Sequence, residues 1–270
     1  MYEYVCKKLT ERVTAVTDAT GVSSFLITGD QSAALLDTCV GLKGLKETVE
    51  HATGLPLHVI LTHGHGDHAG GAAAFDKVYL HPADKRLIRE HGLRLRMDYA
   101  KTMLGSKAKL SEDLFEPEPE DIFCDLGDGQ IFDLGGVHLE IIHVPGHTKG
   151  SCCVLIPEER AILFGDACNG NTLVMDTNST DISTYKRSLE HLKTFEKRYD
   201  TIYYSHGPHT GCNTLEDNIE LCDLILAGKD DAIPCEFMGK QAIRAAAVKN
   251  GFERVDGKYG NIVYSELTKK

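Results

Sequence analysis

The stretch His58-Val-Ile-Leu-Thr-His-Gly-His-Gly-Asp-His-Ala-Gly-Gly71 constrains this chain more than any other. Val59, Ile60 and Leu61 form the β-branched and aliphatic run that a buried strand needs. His63 and His65 follow two positions apart, so an extended backbone projects both imidazoles to one side. Gly64 and Gly66 are expected to free the backbone for a sharp turn. Asp67 and His68 then lead into Ala69 to Phe75, which reads as a helix. An aspartate in that place would serve as a helix cap, and lone histidines are commonly core or surface residues. Three histidines and one aspartate alternating with glycine are too dense for that reading, and point to a metal site.

The segments around this motif read as strands and helices in two successive blocks. Tyr4–Leu9, Arg12–Asp18, Ser23–Thr28 and Ser32–Asp37 form a predicted β-meander, followed by a helix over Leu45–Ala52 and the strand His58–Thr62. A short strand at Val78–His81 precedes a helical insertion over 83–109, with apolar spacing at Leu87, Leu93 and Met97, closed by Glu116-Pro-Glu-Pro-Glu120. Its Met97, Tyr99, Met103 and Leu104 are candidates for an apolar wall, which would make the insertion a lid. Asp-Gly turn signals between Cys124 and Gly135 open a second β-rich half. Strands are expected at His138–Val144, Cys152–Ile156, Ala161–Phe164 and Asp200–Ser205. Helices are expected at Ser183–Arg198, Thr214–Ala227 and Gln241–Asn250, before a last strand at Tyr259–Glu266. Strand-rich then helical, twice over, predicts a four-layer αβ/βα sandwich of two mixed β-sheets with outer helices.

Three more polar groups lie just past predicted strands of the second half: His147 in Val144-Pro-Gly-His-Thr-Lys-Gly-Ser151, Asp166 in Ile162-Leu-Phe-Gly-Asp166, and His206 in Ile202-Tyr-Tyr-Ser-His206-Gly. Such strand-end loops commonly carry functional groups on a rigid scaffold. With His63, His65, Asp67 and His68 they make seven metal-ligand candidates.

The pattern H-x-H-x-D-H resembles the signature of the metallo-β-lactamase superfamily, and the later Gly-His-Thr-x-Gly-Ser turn, Gly-Asp pair and terminal His-Gly match its further motifs in order. The resemblance covers roughly residues 12 to 210 and implies the metallo-β-lactamase fold, with a glyoxalase II-like ligand set. It implies that His63, His65 and His147 hold one metal, that Asp67, His68 and His206 hold a second, and that Asp166 bridges both. Residues 1–270 are then expected to be a single domain with a helical insertion at about 83–120 and a C-terminal helix and strand extension at about 213–270. Two zinc ions are the expected cofactor, with iron or manganese as alternatives. A bound metal lowers the pKa of water from about 15.7 toward about 7, so a metal-activated hydroxide attacking an ester-like bond is the expected chemistry. Asp67 is the catalytic candidate, orienting the hydroxide or moving its proton. Tyr99, Thr148, Asn169, Asn171 and His209 are candidates for contacts to substrate or to the ligands.

Class B β-lactamases carry Cys where this chain has Asp166, and lactonases of the superfamily use a Tyr close after the bridging Asp, where this chain reads Ala167-Cys-Asn-Gly-Asn171. Glutathione-binding features are not recognisable in Gly207-Pro-His-Thr-Gly-Cys212. The expected substrate is therefore a small molecule with a thioester, lactone or related bond. A mono-iron persulfide dioxygenase, a phosphodiesterase and a non-catalytic binding module stay as alternatives.

Composition sets outer limits. A net charge of −11 argues against a general nucleic-acid binder. The start Met-Tyr-Glu-Tyr-Val-Cys-Lys-Lys lacks a signal peptide's charged head and apolar core, and no run is long enough to span a bilayer, so the cytoplasm is the expected compartment and no membrane partner is expected. Homo-oligomerisation stays open. Nine cysteines are odd in number and without a C-x-x-C, and most read as small buried hydrophobes rather than a disulfide framework.

Overall fold

A computed structural model describes residues 2–105, 108–251 and 253–270 of the chain. Its first half runs β1 (Val5–Lys8), β2 (Val13–Thr17), β3 (Ser23–Thr28), β4 (Ala33–Leu36), α1 (Leu45–Thr53), β5 (Leu57–Ile60), α2 (Gly66–Ala69), β6 (Val78–Leu80), α3 (Lys85–Glu90), α4 (Leu93–Leu104) and β7 (Phe123–Asp125). The second half runs β8 (Ile131–Asp133), β9 (His138–His143), β10 (Cys152–Ile156), β11 (Ala161–Leu163), β12 (Thr172–Val174), α5 (Ile182–Lys193), β13 (Thr201–Tyr203) and α6 (Leu215–Ala227). The chain ends with β14 (Ile233–Phe237), β15 (Lys240–Arg244), β16 (Val248–Asn250), β17 (Glu253–Arg254) and β18 (Ile262–Tyr264).

β1 to β7 form one sheet in sequence order, antiparallel through β4 and parallel from β4 to β7. The second sheet has the order β13-β11-β10-β9-β8, with β11 and β13 parallel and the other neighbours antiparallel. Side chains of period two sort these strands into layers. Phe25, Ile27, Leu36 and Ile60 face Leu139, Ile141, Val154, Leu163 and Tyr203 in the core between the sheets. Their neighbours Leu26, Leu35, Val59 and Leu61 point outward onto Leu45 and Val49 of α1. On the other side Cys153, Leu155, Ile162 and Ile202 meet Tyr185 and Leu189 of α5 and Leu221 and Ile225 of α6. The result is the expected four-layer sandwich. Cys152 and Cys153 face opposite layers, as adjacent strand residues must.

The structure departs from expectation at several places. The motif helix is shorter than Ala69 to Phe75 suggested, with α2 ending at Ala69 and a 3₁₀ turn at Ala72–Ala74. The insertion breaks into α3 and α4 at Gly92 and α4 ends at Leu104; Ser106 and Lys107, within the expected helix to 109, lie outside the described residues. The largest error is Gln241–Asn250, an Ala-rich run that is not a helix. Met238 and Gly239, both at positive φ (48° and 78°), turn the chain so that β15 pairs with β14 and then with β18. Ala242 is buried beside Met175 and Val263, and that pairing overrides the helix propensity of alanine. β12 joins β18 in parallel, so a third sheet of order β12-β18-β15-β14 adds to the two expected. Among the described residues, no helix is long and apolar enough to cross a membrane.

Leu36 is fully buried in the layer between the two sheets. Leu36→Ala is therefore expected to cost about 2–5 kcal/mol of stability, read as a lowered urea midpoint at unchanged m-value.

Candidate metal centre

The loops carrying the seven candidates gather at one edge of the sandwich. β9 and β11 both pair antiparallel with β10, and β13 runs parallel to β11, so the ends of these three strands point the same way. His147 lies in the turn after β9, Asp166 follows β11 and His206 follows β13. His63 and His65 follow β5, while Asp67 and His68 sit in α2. Three groups of ligand atoms fall within 4.8 Å of one another: His63, His65 and His147; His63, His68 and Asp166; and Asp67, His68 and His206. His65 Nδ1 is 2.8 Å from His147 Nε2, and His68 Nε2 is 3.1 Å from His206 Nε2. Asp166 Oδ2 lies 3.8 Å from His147, 3.5 Å from His68 and 3.4 Å from His206, between the two sides.

Buried hydrogen bonds decide which nitrogen each ring presents. Asp37, fully buried at the end of β4, accepts from Thr62 N–H at 2.7 Å, from the Thr62 hydroxyl at 2.8 Å and from His68 Nδ1 at 2.8 Å. Because the Thr62 hydroxyl donates to Asp37, its oxygen is left to accept from His63 Nδ1, 3.0 Å away. His147 Nδ1 donates to the Leu173 carbonyl at 2.7 Å. The Nε2 atoms of His63, His68 and His147 are thereby all turned into the site. His63 Nε2 is buried and has no hydrogen-bond partner among the described residues, the condition of a nitrogen whose partner is a metal.

The two sides differ electrostatically. Burial, together with the neighbouring imidazoles, pushes the His63 and His65 rings well below the ordinary histidine range, so both are neutral bases. On the other side burial opposes charge, yet Asp166, Asp67 and Asp37 hold His68 well above its ordinary value, and Asp166 and Asp67 push His206 up to about 10. Burial alone would raise Asp67, and the His68 and His206 imidazoles more than reverse it, holding the carboxyl well below its usual range. Carboxylates that draw protons onto two imidazoles are short of positive charge, and a divalent cation would supply it.

Asp84 and Asp37 are the residues that sequence reasoning missed. Asp84, 1% exposed, accepts from Gly64 N–H (2.9 Å), Gly150 N–H (2.8 Å) and the Thr148 hydroxyl (2.6 Å). It thereby ties the His63–His65 loop to the His147 turn. Neither aspartate had a local signal beyond its place after a strand, since their partners are 20 to 66 residues away. Gly64 and Gly66 also have another reason than the one expected. Neither adopts a positive φ. A Cβ on Gly64 would come within 2.9 Å of the Asp84 carbonyl oxygen, and one on Gly66 within 2.8 Å of Arg96 Cγ, so close approach is what requires glycine.

The five candidates for contacts to substrate or to the ligands separate. Tyr99, on α4, packs against the cluster around Val40 and Phe115; burial, then the charges of Asp67 and Asp166, keep the phenol protonated. Thr148 is fully buried and spends its hydroxyl on Asp84 and Ser151. Asn169 Nδ2 donates to Asp166 Oδ1 at 3.4 Å, and its Oδ1 accepts from the Asn171 backbone at 2.8 Å. His209 Nε2 is taken up by Thr17 Oγ1 at 3.1 Å, and its ring packs edge-on to Phe25. The insertion is gripped rather than free: Arg96, 3% exposed, donates to the Gly70 carbonyl at 2.7 Å and to the Glu116 carbonyl at 2.9 Å. Met97 and Tyr99 pack on the cluster of Val40, Leu42, Ala100 and Phe115, whereas Met103 is 52% exposed.

Asp84→Ala would leave three buried donors without an acceptor, at about 1–3 kcal/mol each. Urea unfolding is expected to show a loss of about 3 kcal/mol or more, against about 1 kcal/mol for Thr148→Val, which removes one hydroxyl.

Comparison with known proteins fits this geometry. The chain is 28% identical over 192 residues to the atrochrysone carboxyl ACP thioesterase of Claviceps purpurea (strain 20.1), a match covering 69% of this chain and 51% of that protein. It is 30% identical over 192 residues to the acyl-coenzyme A thioesterase MBLAC2 of Homo sapiens, covering 62% of this chain and 66% of that protein. The chain thus spans between 51% and 66% of the length of these two relatives. Among solved structures, a metallo-beta-lactamase from Pontibacter korlensis shares the fold, with a TM-score of 0.60 at 18% identity over 82% of this chain and 99% of that one. TTHA1623 in a di-iron-bound form matches with a TM-score of 0.54 at 28% identity, over 74% of this chain and 91% of that one. The model of the metallo-beta-lactamase superfamily matches residues 17–206, well over half of the sequence, and the chain belongs to that family.

Proposed function

We propose that this chain is a metal-dependent hydrolase of small-molecule thioesters. His63, His65 and His147 would hold one metal ion, Asp67, His68 and His206 a second, and Asp166 would be shared. The observation that carries the reading is the buried, unpartnered His63 Nε2 at the point where the rings and carboxylates converge. Imidazoles on one side and imidazoles with carboxylates on the other suit zinc, and also iron or manganese. Zinc is the first choice, and the di-iron-bound relative makes iron the second. When bound, such ions supply Lewis acidity and a water acidified toward neutrality.

The chain's own residues then divide the work. Asp67 is the catalytic candidate, since its carboxylate lies in the cluster 3.4 Å from His206 Nε2 and can orient the attacking water and accept its proton. The protonated Tyr99 hydroxyl is a donor for the substrate carbonyl oxygen or for the leaving sulfur. Asn169 steadies Asp166, and Asp37 keeps His63 and His68 in the tautomers that face inward. In the overall reaction water adds at the carbonyl carbon, the C–S bond breaks, and the sulfur leaves with the proton as a thiol. Thioesters are favoured over lactones and phosphodiesters because both named relatives are thioesterases, one of acyl-coenzyme A and one of an ACP-linked substrate.

Metal analysis of the purified protein is expected to find two transition-metal ions per chain. Among thioester, lactone and phosphodiester substrates, thioesters are expected to turn over fastest, with kcat reduced about 10²- to 10⁴-fold in Asp67→Ala. One iron per chain, with oxygen uptake on a persulfide, would overturn the hydrolase reading in favour of a dioxygenase.

A further inference from the structure

Three of the four clustered imidazoles contributed by the motif and the His147 turn are oriented by a hydrogen bond on the nitrogen facing away from the cluster: His63 by Thr62, His68 by Asp37 and His147 by the Leu173 carbonyl. His65 differs. It presents Nδ1 to the cluster, 2.8 Å from His147 Nε2, and among the described residues nothing is hydrogen-bonded to its Nε2. Instead its ring lies flat against His91, with centroids 4.7 Å apart and planes inclined by 26°. The two rings at right angles to it, His63 and His147, meet it by their edges at 4.9 and 4.6 Å.

His91 is itself held in place. It caps the C-terminal end of α3, its backbone N–H donating to the Leu87 carbonyl. Its Nδ1 accepts from the Gly66 N–H at 3.3 Å, one residue beyond His65. Its carbonyl oxygen would be 3.2 Å from a Cβ on Gly66, so side chain and backbone both close on the same point of the motif loop. Five residues on, Arg96 fastens α4 to the Gly70 carbonyl at the other end of that loop.

We infer that His91, from the helical insertion, is the positioning residue for His65, its stacked ring taking the place of the hydrogen bond that orients His63, His68 and His147. The inference rests on the proposed metal-binding role of His65. It also gives the insertion a function other than closing over substrate. A stacked ring fixes the plane of the imidazole, and so the direction of the Nδ1 lone pair, while leaving Nε2 free of a partner. Loss of an orienting group beside a metal ligand typically weakens metal binding about 10- to 100-fold.

The test compares His91→Phe, which keeps an aromatic face but loses the Nδ1 acceptor, with His91→Ala, which loses both. Zinc-loaded wild type and variants are titrated with a colorimetric chelator, and folding is monitored by circular dichroism. His91→Ala is expected to release one of its two zinc ions about 10- to 100-fold more readily, with the other unchanged, and His91→Phe to recover most of the difference. Wild-type retention in His91→Ala, or equal loss in both variants, would overturn the stacking role. The orientation of His65 is read separately from crystal structures of the proteins as purified. An ordered His65 ring in wild type and His91→Phe, but a rotated or disordered one in His91→Ala, supports the inference even if the metal count refutes the proposed function. An unchanged ring in His91→Ala refutes it.

Discussion

Asp37 has no solvent contact, and its two oxygens receive three hydrogen bonds from Thr62 and His68. A carboxylate in that position can only accept, so each donor is fixed, and the direction of each bond propagates. The Thr62 hydroxyl must point at Asp37, which leaves its oxygen to receive the His63 proton; the His68 proton goes to Asp37 directly. Both Nε2 atoms then face the interior of the cluster. Asp37 itself sits at φ 65°, a left-handed conformation that aspartate tolerates better than most residues, with its N–H bonded to the Ile60 carbonyl. The strand pairing of β4 with β5 thus delivers the group that sets the chemistry of two histidines.

Asp84 performs the matching task between the halves of the chain. One oxygen is shared by Gly64 and Thr148 and the other is bonded to Gly150, so the loop after β5 and the turn after β9 cannot shift independently. Glycine at 64 and 150 is what lets the backbones approach: an added Cβ would lie 2.9 Å from Asp84 backbone oxygen in one case and 2.6 Å from its carboxyl carbon in the other. Around this junction the two sides keep distinct characters, neutral imidazoles toward His63 and His65 and carboxylates toward Asp67 and Asp166. In the proposed hydrolysis, that asymmetry would let one region polarise the bond while the other orients and deprotonates water.

Much of this was legible in the linear sequence because the signals are short-range. The apolar runs at residues 23–28, 33–36 and 152–156 mark strands buried on both faces, and the structure sorts their side chains between two layers, Phe25 and Ile27 inward and Leu26 outward. His147, Asp166 and His206 announced themselves by following apolar strands. Gln241–Asn250 misled for the opposite reason: local composition favours a helix, but a Met-Gly turn and pairing with β14 and β18 make it strand. The apolar residues of the insertion were visible in the sequence, while the buried Arg96 contacts that fasten it to the Gly70 and Glu116 carbonyls were not.

By itself the sequence determined the layer architecture and the seven clustered side chains, since both depend on residue type, period and position after a strand. Only the tertiary structure decided how those side chains are held. Which imidazole nitrogen faces inward, why glycine is required at 64 and 66, and which carboxylates and rings brace the ligands all depend on contacts between segments 20 to 82 residues apart, such as Asp84 with Gly64 and His147 with His65. A hydrogen bond specifies its partner by distance and direction, and neither exists until the strands have brought the loops together.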